Sequence, residues 1–245
     1  QISLIDTWAI TAAGGLTLSE NKLYTKEAWN NFFAHLNENG MLSTSRWFIP
    51  NKHHGELYRA SSLATETLKT MNPNINIRDH VAIINSNHVI TLLVSKSPFS
   101  KQEIAKLERI SKKYGFQTLI TPQKDFDDIT NMILSGNATD EFYDSLPIDV
   151  TAPDDDRPFF FNMARLGETK PDPSGHYNVN NNNSVTVLLL LAVIVMLYLS
   201  FAVISPLINL YKNNKEQFAA SSPFVVYFLC IGFGFMFIEM SLMQW

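Results

Sequence analysis

The chain has 245 residues, 46% hydrophobic and 17% charged, with a net charge of −4: room for one large domain or two small ones, and an acidity that argues against a nucleic-acid partner. Its single cysteine, Cys230, excludes a disulfide framework and a cysteine metal site. The six histidines (His35, His53, His54, His80, His88, His176) show no zinc-type spacing, so no metal is expected.

The first residues, Ile2-Ser3-Leu4-Ile5-Asp6, read as a buried strand running into an acid, and a sheet starting there would be open on one edge, so further strands are expected upstream. A polar loop, 18–25, leads to a helix capped by Thr25, with Trp29, Phe32, Phe33 and Leu36 on one face and Asn39-Gly40 as its stop. Residues 41–48 read as a strand that ends Ser45-Arg46-Trp47. A second helix over Gly55–Met71 places Leu57, Ser61, Ala64 and Leu68 at helical spacing. Two apolar strands, 80–85 and 88–95, follow as a hairpin turning at Ser86-Asn87. Ser100-Lys101-Gln102-Glu103 is a capping box opening a helix with Ile104, Leu107, Ile110 and Tyr114 inward, ended by Gly115. A short strand over 116–120, a helix over 125–134 and a helical turn near Glu141 complete the domain.

Alternating strands and helices predict an α/β fold: a parallel, Rossmann-like sheet carrying a late antiparallel hairpin at one edge. The domain is expected to occupy 1–165, with a polar linker over 166–184 that includes Asn180–Asn183. Beyond it, no Asp, Glu, Lys or Arg occurs over 175–211 or 217–238, and transmembrane helices are expected over 185–210 and 222–243. Glu239 reads either as a functional intramembrane acid, which costs at least ~2.5 kcal/mol at the bilayer centre, or, in a helix starting near Ser222, as an acid close to the opposite interface, where that cost largely vanishes.

In open α/β sheets chemistry sits outside the carboxyl ends of the strands. Asp6 stands at such an end as a candidate catalytic carboxylate, against the alternative of capping the following turn. Glu20 and Tyr24 lie on the loop above the same edge, and Arg46-Trp47 interrupts a strand that should be apolar, offering a cation and a stacking surface. Asp154-Asp155-Asp156-Arg157 reads either as carboxylates for a polycation, with Asp155 and Asp156 as ligands, or as an acidic turn with one internal ion pair. Phe159–Phe161 is expected to pack on the domain or at a membrane interface.

The run Leu18-Ser19-Glu20-Asn21-Lys22-Leu23-Tyr24-Thr25, a helix, Asn39-Gly40-Met41-Leu42 and a strand resembles the spermidine synthases, the polyamine aminopropyltransferases. With Asp155-Asp156-Arg157-Pro158-Phe159-Phe160-Phe161 and Gly232-Phe233-Gly234-Phe235-Met236-Phe237-Ile238-Glu239, it is similar to membrane-fused members of that superfamily. The resemblance implies decarboxylated S-adenosylmethionine as aminopropyl donor and a small-molecule amine as acceptor; beside that amine, the partners expected are a lipid bilayer, from the apolar runs, and a second copy in a homodimer, with no metal. It places the chain in the carboxyl-terminal half of the domain, with the donor-binding glycines upstream of Gln1. Such enzymes carry Asp-x-x-Asp-Pro at the first strand end. Here Ser3 takes the first acid position and Asp6 the second, with Thr7 for proline; a shifted register puts Asp6 first and Ala9 second.

Two other functions fit the same pattern: a methyltransferase using S-adenosylmethionine, and a non-catalytic nucleoside- or polyamine-binding domain that regulates a membrane assembly. Lys212 and Lys215 between the spans weigh for an external domain, whereas a nucleoside cofactor weighs for the cytosol, and the cytosolic side is expected.

Overall fold

Thr25 starts the first helix through its own side chain, whose hydroxyl accepts from Ala28 N–H at 3.2 Å. The computed structural model describes residues 1–3, 20–48, 54–163, 165 and 179–243, and divides them into two units, 1–185 and 186–245. In the first unit, helix α1 (Lys26–Ala34) buries Trp29 and Phe33 and leads into strand β2 (Met41–Trp47). Strand β1 is Ile2–Ser3, parallel to β2, with Ile2 opposite Thr44 and Ser3 opposite Ser45.

Helix α2 (Gly55–Met71) is the centre of the domain rather than a one-sided amphipathic helix. Leu57, Ala60, Leu63, Ala64 and Leu68 are buried, and so are Arg59, Ser61, Ser62, Thr65 and Thr67. Such a polar helix tolerates burial because three of these hydroxyls, those of Ser62, Thr65 and Thr67, find carbonyls. Ser62 donates to Tyr58 O at 3.1 Å, Thr67 to Leu63 O at 2.8 Å, and Thr65 reaches across to Ile133 O at 3.2 Å. The helix starts against the 148–163 segment so closely that a Cβ on Gly55 would lie 2.6 Å from Met163 Sδ.

Strands β3 (Val81–Ser86) and β4 (Val89–Ser95) form the expected hairpin, turning one residue later, at Asn87-His88, because Asn87 takes the left-handed conformation (φ 61°). Helix α3 (Lys101–Tyr114) opens on the expected capping box and ends at Gly115 with φ 73°. Strand β5 (Gln117–Ile120) and the short helices α4 (Asp128–Leu134) and α5 (Asp140–Ser145) follow.

The sheet order is β1-β2-β4-β3-β5. The expectation of a parallel sheet holds only for β1 with β2. The β2–β4, β4–β3 and β3–β5 pairings are all antiparallel, so four of the five strands make an antiparallel sheet. Nor is the hairpin an edge appendage. The α2 crossover sets β3 in the same direction as β2 but one strand-width away, and the apolar return strand β4 (Val-Ile-Thr-Leu-Leu-Val-Ser) fills the slot. β5 takes the outer position beside β3. Helix α3 is rolled relative to its apolar spacing: Ile104 and Ser111 are buried, while Ile110 and Tyr114 are 39% and 62% exposed.

The second unit consists of long apolar helices. Helix α6 (Val179–Leu199) begins inside the expected linker and takes in the Asn180–Asn183 row. It continues through a π-helical turn (Ser200–Ile204) into α7 (Ser205–Asn213). Pro206 follows that turn, and a wider turn accommodates a ring that has no N–H to donate and crowds the preceding carbonyls. Helix α8 (Lys215–Met243) starts seven residues before the expected span and carries Pro223 inside it. Two stretches, Leu189–Asn213 and Lys215–Glu239, are each long and apolar enough to cross a membrane by length and composition. Asn214 separates them, its side chain accepting from Gln217 N–H at 3.1 Å, and Tyr211 packs edge-on against Phe218 at 5.2 Å.

Candidate functional site at the carboxyl end of the sheet

Because β1 and β2 run in parallel with Ser3 opposite Ser45, the chain leaves both strands at the same end of the sheet. Arg46 and Trp47 are the last residues of β2 at that end. Arg46 is 1% exposed, a position that demands partners for a guanidinium. Its Nε donates to Glu56 Oε2 at 2.9 Å and its Nη1 to the Tyr24 hydroxyl at 3.0 Å. Its charge also lies over three rings, 5.1 Å from Tyr24, 5.5 Å from Phe160 and 4.7 Å from Phe161. Thus the Arg46–Tyr24 pair ties the loop before α1 to the end of β2.

A second seam closes over the same end. Asn21 N–H donates to Pro158 O at 2.7 Å and Lys26 N–H to Pro153 O at 2.9 Å. The Glu27 carboxylate accepts from the Asp155 N–H at 3.0 Å, which suits a segment docking on the first turn of α1. Phe160 and Phe161 are buried, so these rings pack on the domain, and Phe160 stands 4.6 Å from the Tyr24 ring. Asp154 is the engaged member of the acidic turn: it accepts from Arg157 Nη2 at 3.3 Å and faces Lys26 Nζ at 3.7 Å. Partial burial pushes its carboxyl up, but the Arg157 hydrogen bond and the Arg157 and Lys26 charges outweigh this and hold it below its ordinary value. Asp155 and Asp156 remain exposed on the turn.

The predicted residues therefore divide. Tyr24 and Arg46 are joined in the core, and Ser3 sits one strand away in register with Ser45. Glu20, Asp155 and Asp156 are exposed, and Trp47 is 36% exposed at the rim. Asp6 lies outside the described residues. Among the described residues no group of three or more His, Cys, Asp or Glu is placed to hold a metal ion.

Three residues at this end were not singled out by their pattern. Glu56, in the first turn of α2, pairs with Arg46 across the connection between strand and helix. His54 stands at the N-cap position of the same helix and stacks on Phe48 at 4.4 Å, with Phe126 at 5.6 Å. Arg59, 4% exposed, holds the closing segment: its Nη1 donates to the carbonyls of Phe159 (2.9 Å), Phe160 (2.9 Å) and Asn162 (2.7 Å), and its Nε to Thr151 O (3.1 Å). Its Nη2 pairs with Asp149 at 3.0 Å. Burial lowers the Arg59 pKa to about 10, against the opposing pull of Asp149. The available signal for Arg59 was its place in a helix whose neighbours, Leu57-Tyr58 and Ala60-Ser61-Ser62-Leu63-Ala64, are nearly all small or apolar.

Comparison of the chain with protein-family models, with curated proteins and with solved structures finds no match.

Proposed function

We propose that the protein is a membrane-anchored transferase of the spermidine synthase-like class, moving an aminopropyl or related group from a decarboxylated S-adenosylmethionine-type donor to an amine. The observation that carries the reading is convergence: the Glu20–Tyr24 loop, the ends of β1 and β2 and the Asp155–Phe161 segment meet at one end of the sheet. A parallel pair followed by an inserted antiparallel hairpin also suits the carboxyl-terminal half of a Rossmann-like transferase sheet. In the reaction, the amine nitrogen attacks the carbon bonded to the sulfonium. The C–N bond forms, the C–S bond breaks, sulfur leaves as a neutral thioether, and the ammonium proton passes to a base.

Asp6, three residues beyond Ser3, is the candidate base, and the exposed Glu20, Asp155 and Asp156 are the candidate carboxylates for a cationic amine. Arg46 and Tyr24 act as positioning residues, fixing the loop that carries Glu20. A nucleoside donor assigns this end of the sheet to the cytosolic side. Ser3 in place of the first acid favours one second reading, a domain that binds a nucleoside or a polyamine without transferring a group.

The test is to supply purified full-length protein with an amine and with labelled donor, either decarboxylated or ordinary S-adenosylmethionine. Transfer of the aminopropyl group, lowered roughly 10²- to 10⁴-fold by Asp6→Asn, is the expected result. Methyl transfer would move the protein to the methyltransferase class, and polyamine binding with transfer from neither donor would leave only the binding reading.

A further inference from the structure

Helix α3 carries a face made only of neutral and cationic groups. Its Ile104 and Ser111 are buried against the domain. On the opposite side, at the three- and four-residue spacing of one helical face, lie Gln102, Lys106, Arg109 and Lys113, with Lys112 beside them, all exposed. The two acids of the helix fall on its flanks, and Glu103 is held back by the capping box, accepting from Ser100 N–H at 2.8 Å and Ser100 Oγ–H at 2.7 Å.

Elsewhere in the domain eight cations, Lys26, Arg46, Arg59, Lys69, Arg78, Lys96, Arg157 and Arg165, each have a carboxylate partner. Among the described residues Lys106, Arg109, Lys112 and Lys113 have none within ion-pair distance. In a chain of net charge −4, that leaves a local cationic surface turned outward. Beside it are the exposed Ile110 and Tyr114. Tyr114 stacks near Phe116 at 6.0 Å, and the Lys113 ammonium lies 5.4 Å from the Tyr114 ring. Cations flanked by an aromatic and an aliphatic side chain are what a helix lying on a headgroup layer presents.

The same chain carries two helices long and apolar enough to cross a membrane, so a bilayer surface is the polyanion to which this domain is covalently tethered. We infer that the outer face of α3 docks on anionic lipid headgroups. Lipid is favoured over nucleic acid or an acidic protein because only lipid is held beside the domain by the chain itself. Each cation near an anionic surface shifts the docked-to-free ratio by about fivefold.

The experiment uses the full-length protein in nanodiscs of pure phosphatidylcholine and of an equimolar mixture of phosphatidylcholine and phosphatidylglycerol. Lysine acetylation by an uncharged reagent is read residue by residue by mass spectrometry. Lys106 and Lys113 should acetylate about fivefold more slowly, or less, in the anionic discs, with Lys69 on α2 unchanged and high salt abolishing the difference. The double variant Arg109→Gln/Lys112→Gln, confined to exposed positions, should lose most of that protection. Equal rates in the two discs would overturn the inference, as would protection that survives the double variant. Protection produced only by added RNA or polyglutamate in neutral discs would also overturn it and assign the face to a soluble polyanion. A chain that fails to enter the discs removes the tether and the inference with it.

Discussion

Arg59 and Arg46 are both buried cations, and they are held in different ways. Arg59 has one carboxylate, Asp149, and four backbone carbonyls, so its charge organises the 149–162 segment directly. Replacing it with Met should cost about 3–5 kcal/mol, because the carbonyls lose a buried donor, while the half-exposed Asp149 keeps its Thr151 donors. Arg59→Lys should recover little, since an ammonium lacks the planar fork that reaches them at once. Chemical unfolding of the full-length protein in detergent measures both. Arg46 instead divides its donors between Glu56 and the Tyr24 hydroxyl, under aromatic faces. Tyr24→Phe should therefore lower stability by about 1.5–3 kcal/mol, the range for a hydrogen bond to a charged group, whereas Trp47→Phe at the rim should stay within ~0.5 kcal/mol. If Tyr24→Phe abolished transfer without changing the unfolding midpoint, the hydroxyl would be acting on substrate and not on Arg46. An arginine that interrupts an apolar strand is conspicuous in the sequence, which is why Arg46 was legible. Glu56 and Arg59 were not, because their partners come from other elements, and an ordinary helical Glu or Arg gives no sign of them.

The capping box on α3 links an element to pH. Hydrogen bonds from the Ser100 N–H and hydroxyl hold the Glu103 carboxyl below its ordinary value of 4.5. A carboxyl depressed in the folded state contributes stability that is present above its unfolded pKa and lost as pH falls through the folded one. The first turn of α3 should accordingly open on acidification below about pH 4.5, seen as faster amide hydrogen exchange at residues 101–104. Ser100→Ala should destabilise that turn by about 0.5–2 kcal/mol near neutral pH and flatten the acid dependence. The box was readable from four consecutive residues because all its partners are local. The roll of α3 was not. Ile104 and Leu107 are followed at the next matching turn by Ser111, and the single short strand β5 covers only part of the apolar stripe, so Ile110 and Tyr114 are left outside. The hairpin shows the same limit: its two strands were visible in sequence, but its insertion between β2 and β3 depends on the α2 crossover, a long-range fact. At the sheet end, the loop and strand-end residues were legible from position, whereas the seam that closes over them depends on contacts such as Glu27 with Asp155, 128 residues apart.

For the molecule as a whole, the apolar helices set the context in which any reaction occurs. Helix α8 has 29 residues, roughly 44 Å along its axis, more than a hydrocarbon core of about 30 Å requires. Cys230 lies near its middle, roughly 22 Å from Lys215. A membrane-impermeant maleimide should leave Cys230 unlabelled in intact membranes and label it after unfolding in detergent; rapid labelling from either side would contradict a spanning α8. The two apolar runs were plain in the sequence because their signal is composition alone, while their starts were displaced by helix continuing through polar residues at Asn180–Asn183 and Lys215–Gln217. The Arg59 bonds also impose an order in time. Their acceptors lie 90 to 103 residues further along the chain. At ~5–20 residues per second of synthesis, the guanidinium waits roughly 5–20 s for them, hydrated, while α2 has nothing to close its outer side. The last of these acceptors, Asn162, is made before either of the two apolar spans that follow it, so these bonds can close before those spans are synthesised. A variant that delays this closure would present a half-built core and a membrane helix together, and its defect should appear first as aggregation during synthesis rather than as lost activity in the finished protein.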